Sequence, residues 1–215
     1  MWRSLWIKLV DEALNSNEHK KSVNLLSIRD VRDYENLEAV EFDHTRAFVK
    51  IEDGCSNFCS YCIIPYARGP VRCKDKDLVI KELQNIAALG YKEVVLAGIH
   101  TGHYTCGKDY HLSHLLHDII KNVPELKRRL SSIEINEIDD DIINLMAESK
   151  IIANHIHLPL QSGSDKILKL MNRRYDSKFF EDKVNKIRSV RPDISLTTDV
   201  IVGFPYEDDT DFLDC

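Results

Sequence analysis

The stretch Ala47-Phe-Val-Lys-Ile-Glu-Asp-Gly-Cys55-Ser-Asn-Phe-Cys59-Ser-Tyr-Cys62 joins a short apolar segment to a cysteine triplet spaced C-x₃-C-x₂-C. Thiolates are soft ligands that suit zinc and iron–sulfur clusters. A structural zinc site closes with four ligands, normally supplied as two pairs. Here the triplet stands alone, and the next cysteine, Cys73, lies well downstream. Three thiolates on a four-iron cluster leave one iron open to a substrate or cofactor, whereas an electron-transfer ferredoxin supplies a fourth cysteine. The spacing points to Cys55, Cys59 and Cys62 as ligands of a 4Fe–4S cluster with one open iron. The alternative is a non-catalytic zinc module built on the same three cysteines and Cys73.

Working outward, residues 47–51 read as a strand that opens a regular alternation. Further strands are expected over 93–97, 130–135, 155–158 and 194–202, each short and apolar. Between them lie helical patterns. Asp75 caps a helix with Val79, Leu83 and Ile86 on one face, and Gly90 ends it. Leu112, Leu115, Leu116, Ile119, Ile120 and Val123 trace an apolar stripe stopped by Pro124. A short amphipathic helix follows Asp139, and others cover 167–171 and 179–190. Strand–helix alternation implies βαβ units and a parallel sheet, an α/β fold. The segments following the strands carry the unusual chemistry: Cys55 to Cys62, Gly98 to Gly102, Glu134, Leu160 to Ser164 and Gly203 to Glu207. In parallel α/β architectures, sites gather at the carboxyl ends of strands.

The 215 residues carry a net charge of −6 with 43% hydrophobic and 30% charged content, enough for one sizeable core and no bulk electrostatic signature of a nucleic-acid binder. Any RNA contact is expected to be local, through Arg68, Arg72 and Lys74 or through Arg173 and Arg174, which otherwise read as solvated surface. No apolar run approaches the roughly 20 residues that cross a bilayer. The start, Met1-Trp-Arg-Ser-Leu-Trp-Ile-Lys8, does not read as a signal peptide, so a cytoplasmic location and no membrane partner are expected. Six cysteines in such a chain point to metal chemistry rather than to disulfides, with Cys73, Cys106 and Cys215 left as free thiols. His100, His103 and His111 lack a paired spacing on a helix face and read as satisfied or solvent-facing histidines.

Longer words surround the triplet: Asp43-His-Thr-Arg-Ala-Phe-Val-Lys-Ile-Glu-Asp-Gly-Cys55, Ile63-Ile-Pro-Tyr-Ala-Arg-Gly69, His157-Leu-Pro-Leu-Gln-Ser-Gly-Ser-Asp165, Met171-Asn-Arg173 and Thr198-Asp-Val-Ile-Val-Gly-Phe-Pro205. With Tyr61 before the last cysteine, they resemble the radical S-adenosylmethionine (SAM) methylthiotransferases over roughly residues 40–213. Arg68-Gly-Pro-Val-Arg72 and Ala97-Gly-Ile-His-Thr-Gly102 look most like the branch acting on N6-threonylcarbamoyladenosine in tRNA. The resemblance implies a partial (β/α) radical SAM barrel over residues 47–215, preceded over 1–46 by a linker or the remnant of an N-terminal methylthiotransferase domain. It implies a transferase with two cofactors, the 4Fe–4S cluster and S-adenosylmethionine. An electron donor such as flavodoxin or ferredoxin would reduce the cluster, SAM would be cleaved to a carbon radical, and a methylthio group would be added at C2 of the modified adenosine. Isopentenyl-adenosine in tRNA or a ribosomal protein is the alternative substrate.

The resemblance also assigns cofactor contacts. Tyr61 is expected near the adenine of SAM, and Gly98 at the turn that meets its methionine moiety. Glu134 and Gln161 would meet polar parts of the cofactor, and Arg173 would bind its carboxylate. Asp199, Ile201 and Gly203 are expected along the adenine. No residue is assigned a catalytic role. Three departures stand out. No cysteine precedes Cys55, where the family carries three for an auxiliary cluster; Cys73 stands where a small polar residue is usual; and Tyr206 stands where glycine is usual. The chain is therefore expected to be a fragment lacking the auxiliary-cluster and RNA-binding domains and truncated before the last strand of the barrel.

Overall fold

A computed structural model describes residues 28–36 and 44–215. Five parallel strands follow one another in chain order. Strand β1 (Ala47–Lys50) pairs with β4 (Glu93–Ala97), and β4 with β5 (Lys127–Leu130). Strand β6 (His155–His157) pairs with β7 (Ser195–Thr197). Parallel bridges at Arg128–Ile152 and Ser132–His157 connect the two sets. Parallel strands covered on both faces read as apolar runs; accordingly Val94, Val95 and Leu96 of β4 are all buried, whereas β1 alternates, with Ala47 and Val49 buried and Phe48 and Lys50 exposed.

The helices form where capping and apolar stripes coincide. The Asp75 carboxylate accepts from the amides of Asp77 (2.9 Å) and Leu78 (3.3 Å), starting α2 (Lys76–Ala88) and burying Val79, Leu83 and Ile86. Helix α3 (Leu112–Asn122) buries Leu112, Leu115, Leu116 and Ile119. Asp139 caps α4 (Asp140–Glu148) through the amide of Ile142 at 2.7 Å. Ser164 and Asp176 do the same for α5 (Asp165–Leu170) and α6 (Ser177–Val190). Each cap satisfies amides that the first turn of a helix leaves unpaired.

Two strands differ from the sequence expectation. The third runs over Lys127–Leu130 rather than 130–135. Its charged lettering conceals a buried Arg128, whose guanidinium donates to the carbonyls of Ile119 (2.9 Å) and Val123 at the C-terminal end of α3. The arginine thus serves a helix end from inside a strand. The fifth strand stops at Thr197 instead of running through 202. Gln161 adopts a left-handed backbone (φ 69°), and pairing resumes only where its amide donates to Asp199 (2.9 Å) and its carbonyl accepts from Ile201 (2.8 Å).

Two additions escaped the sequence reading. Strands β2 (Glu52–Asp53) and β3 (Arg72–Cys73) form a minimal antiparallel pair that closes the cysteine-bearing excursion. That excursion contains the helical turn α1 (Ile64–Ala67), and α7 (Asp209–Leu213) follows the last strand. Before β1, the 3₁₀ turn Ile28–Asp30 meets Gly69, and the Tyr34 hydroxyl donates to the Lys50 carbonyl at 2.6 Å. The stretch Leu5 to Leu14, whose lettering reads as a short helix, lies outside the described residues.

Candidate metal centre and active-site rim

The cysteine loop begins with a backbone that only glycine can supply. Gly54 has φ 90°, and a Cβ there would lie 2.8 Å from the Gly69 carbonyl oxygen and closer still to that of Pro70. We expect Gly54→Ala to cost about 2 kcal/mol or more, read as a lowered thermal midpoint, because both the torsion and the contact are unfavourable. Beside it, Asp53 collects Lys50 (3.0 Å), Arg68 (2.7 and 3.0 Å) and Arg72 (3.0 Å) and also accepts from the Gly54 amide (2.9 Å). Burial works to raise the Asp53 carboxyl, but Lys50 and Arg68 outweigh it and hold it below the usual carboxylate range. Arg68 and Arg72 are therefore fasteners of this loop, and Lys74 is buried against Glu82. Arg72 and Lys74 are buried rather than the solvated surface residues expected from sequence, whereas Arg68 is exposed as expected and is paired with Asp53.

The three cysteines are half-buried free thiols. The first two members of the triplet meet nitrogen donors. The Asn57 amide lies 3.4 Å from Cys55 Sγ, with His100 Nδ1 3.7 Å away. Arg173 Nη1 lies 3.6 Å from Cys59 Sγ. Burial pushes the Cys59 thiol up, Arg173 acts against it, and Glu134, Cys55 and Cys62 add to the rise. Cys73, the candidate fourth zinc ligand, has its sulfur engaged elsewhere, by the Thr105 amide (3.3 Å) and the His103 carbonyl (3.7 Å).

The loop is anchored from across the molecule. Ser60 bonds the carbonyls of Met171 (3.2 Å, through its amide) and Leu170 (2.9 Å, through its hydroxyl). Asn172, itself at φ 60°, donates to the carbonyls of Phe58 (3.0 Å) and Asn57 (3.4 Å). Next in sequence, Arg173 pairs with Glu134 at the end of the loop after β5. Burial would lower the Arg173 guanidinium, and Glu134 outweighs it and raises it. The structure thus gathers Cys59, Glu134 and Arg173. Gln161, Asp199 and Ile201 form a second group, joined by the backbone bonds described above, with the Asp199 carboxylate exposed and 3.3 Å from His157 Nε2, while the Gly203 amide donates to the Glu207 carboxylate. Tyr61 links the groups: its ring meets Phe204 edge-on at 6.4 Å, and burial pushes its hydroxyl up to about 12.

Gly98 ends β4 where a side chain would collide with Glu52, since a Cβ would lie 2.7 Å from Oε2. Sequence reasoning missed Glu52, a fully buried acid that accepts from the His100 amide at 2.6 Å. Burial pushes its carboxyl up to about 7 despite that amide. A carboxyl raised above its unfolded value of 4.5 binds its proton more tightly in the fold. Its stabilising contribution is complete below pH 4.5 and is lost as pH rises through about 7. Glu52→Gln is therefore expected to gain about 1–3 kcal/mol on the wild type between mildly acidic and mildly alkaline pH, measured as a flatter dependence of the thermal midpoint on pH. His100, read from sequence as a satisfied or solvent-facing histidine, is buried: burial favours its neutral ring, but Cys55 and Glu137 outweigh this and push it up to about 10.

Residues 49–215 match the radical SAM superfamily, and the chain belongs to that superfamily. Among curated relatives, the threonylcarbamoyladenosine tRNA methylthiotransferase MtaB of Bacillus subtilis (strain 168) is 46% identical over 201 residues, covering 92% of this chain and 45% of the relative. MtaB of Aquifex aeolicus (strain VF5) is 40% identical over 98% of this chain and 51% of its own length. The tRNA-2-methylthio-N(6)-dimethylallyladenosine synthase of Clostridium perfringens (strain SM101 / Type A) is 43% identical over 79% of this chain and 38% of its own length. The chain spans about half the length, or less, of these relatives. Two solved structures share the fold. The cobalamin-dependent SAM radical enzyme OxsB has TM-score 0.59 and 14% identity over 72% of this chain and 23% of its own. The radical SAM methyltransferase TsrM from Kitasatospora setae, with cobalamin and a [4Fe-4S] cluster bound, has TM-score 0.56 and 15% identity over 72% and 30%. The expected α/β fold with parallel strands, covering part of a radical SAM barrel, is the fold observed.

Proposed function

We propose that this chain is the radical SAM core of a tRNA methylthiotransferase that adds a methylthio group at C2 of N6-threonylcarbamoyladenosine. The observation that carries the reading is the thiol triplet: three half-buried free thiols on one loop, with nitrogen donors at Cys55 and Cys59. Such donors are what a thiolate-ligated cluster receives from its surroundings. Cys55, Cys59 and Cys62 hold the 4Fe–4S cluster, which when bound supplies the electron that cleaves S-adenosylmethionine and starts radical chemistry.

The chain's own residues position the cofactor and exclude water. Arg173 is held by Glu134 in a fixed orientation, so its planar fork is set for a carboxylate before any ligand arrives. Gly98 keeps the end of β4 open to the methionine portion. Tyr61 closes one side, and the Gln161, Asp199, Ile201 and Gly203 segment lines the adenosine side, with Tyr61 and Phe204 meeting across the gap. Residues 47–215 are the radical SAM core, and 1–46 a linker or the remnant of an N-terminal domain. The whole protein acts on tRNA in the cytoplasm and takes electrons from a flavodoxin or ferredoxin. Among the described residues, no helix is long and apolar enough to cross a membrane.

The relatives favour the threonylcarbamoyl branch over the dimethylallyl one by identity taken together with coverage. Nucleoside mass spectrometry of tRNA from a strain lacking the gene is the test. We expect methylthio-threonylcarbamoyladenosine to disappear and to return when the full gene is restored. Loss of the methylthio-isopentenyl nucleoside instead would overturn the substrate, and zinc without iron in anaerobically reconstituted protein would overturn the chemistry.

A further inference from the structure

We propose that His100, His103 and Glu137 form a second metal site, distinct from the thiol triplet, that takes a single divalent first-row cation such as zinc. The Nε2 atoms of the two imidazoles and a Glu137 oxygen would be its ligands. His100 and His103 flank the 3₁₀ turn Thr101–His103 after β4, closed by the His103 amide on the His100 carbonyl at 3.0 Å. In a 3₁₀ turn, residues three apart eclipse one another, and the two rings accordingly face each other with centroids 3.9 Å apart. This pairing needs no helix, which is why the sequence spacing concealed it. A second 3₁₀ turn, Ile135–Glu137 after the neighbouring strand β5, delivers the carboxylate.

The three ligand atoms all lie within 4.8 Å of one another, and these residues form the one such group of three or more among the described residues. His103 Nε2 approaches Glu137 Oε1 to 3.1 Å, and His100 Nε2 also meets that oxygen. Even so, His100 Nε2 and both Glu137 oxygens make no hydrogen bond. His100 is 3% exposed and the Glu137 side chain 7%. Buried polar atoms that converge without hydrogen-bond alignment are costly unless something sits between them. Two imidazoles and a carboxylate are a donor set for zinc and other first-row divalent ions, leaving one position for water. His103 is partly exposed and gives a path of entry. A cation on His100 Nε2 also fixes the ring proton on Nδ1, the nitrogen facing Cys55 Sγ at 3.7 Å.

The test is elemental analysis with X-ray absorption on the full chain, prepared anaerobically, equilibrated with a slight excess of Zn²⁺ and desalted. Iron and zinc are counted separately, so the thiol triplet and this site report independently. We expect about one zinc per chain with a shell of nitrogen and oxygen at about 2.0–2.1 Å and no sulfur. Zinc should fall to near zero in the His103→Ala/Glu137→Gln variant while iron is retained. Absence of retained zinc, sulfur in the zinc shell of the unaltered chain, or equal zinc in a folded double variant would each overturn the site. The absorption spectrum of the unaltered chain decides the matter even if the variant fails to fold.

Discussion

Cys59→Ala is expected to cut reductive cleavage of S-adenosylmethionine by at least about a thousandfold, because the reaction without its cofactor loses most of the catalytic acceleration. Iron should fall from about four per chain to well below one in the same sample. Cys59 is the member of the triplet with the most demanding surroundings. Its thiol sits beside Arg173, and burial makes the free thiolate costly. Removing the sulfur leaves Arg173 to Glu134 alone and takes away one of only three protein ligands. Circular dichroism should stay near that of the wild type, since the loop remains fastened by Ser60, Asn172 and the Asp53 cluster. Cys73→Ala is the control. Its sulfur engages Thr105 and His103 rather than the triplet, so iron should remain at the wild-type level. If Cys59→Ala kept its iron and its 5′-deoxyadenosine yield, the cluster assignment would be wrong.

The second large effect concerns stability. Lys74 and Glu82 form an ion pair with side chains 1% and 5% exposed. The backbone of Lys74 is tied on both sides, by its amide to the Ile51 carbonyl (2.8 Å) and by its carbonyl to the Tyr104 hydroxyl (2.7 Å), so the chain there cannot swing the ammonium out to water. Glu82→Ala should therefore strand a buried charge and cost about 3–5 kcal/mol. The Lys74→Met/Glu82→Leu variant replaces the pair with apolar groups of similar size. It should recover most of that loss or exceed the wild type, as buried pairs often do when exchanged whole. Urea unfolding of the wild type, Lys74→Met, Glu82→Leu and the double variant gives the coupling energy directly. A single-variant loss below about 1 kcal/mol would mean that water reaches the pair.

What could be read from the sequence was whatever its neighbours in the chain determine. The β4 strand and the Asp75-capped helix before it were legible because burial there leaves an unbroken apolar run and a regular stripe. The cysteine triplet was legible for the same reason, with three and then two residues between successive cysteines. Strand β5 was misplaced because Arg128 carries a polar letter at a position with no solvent exposure, and its partners are carbonyls of another element. The break in β7 depends on the backbone of Gln161, in the segment that follows β6. The pairing of Glu134 with Arg173, and the approach of His100, His103 and Glu137, are likewise products of strand order. Arg68, Arg72 and Lys74 looked like a basic surface because nothing nearby in the chain announces Asp53 and Glu82 as their partners.

The cysteine loop is held by Ser60 on Leu170 and Met171, by Asn172 on Asn57 and Phe58, and by Arg173 beside Cys59. Those partners are more than a hundred residues apart in the chain, and contacts of that range form late because loop closure must come first. During synthesis, the three cysteines leave the ribosome long before the segment that will orient them exists. Iron and sulfide delivered at that stage would meet a mobile loop rather than a socket. On the cluster assignment proposed above, loading belongs after folding of the chain through the Met171 to Arg173 segment, and a nascent chain stalled before that segment should load iron poorly even with all three cysteines already made.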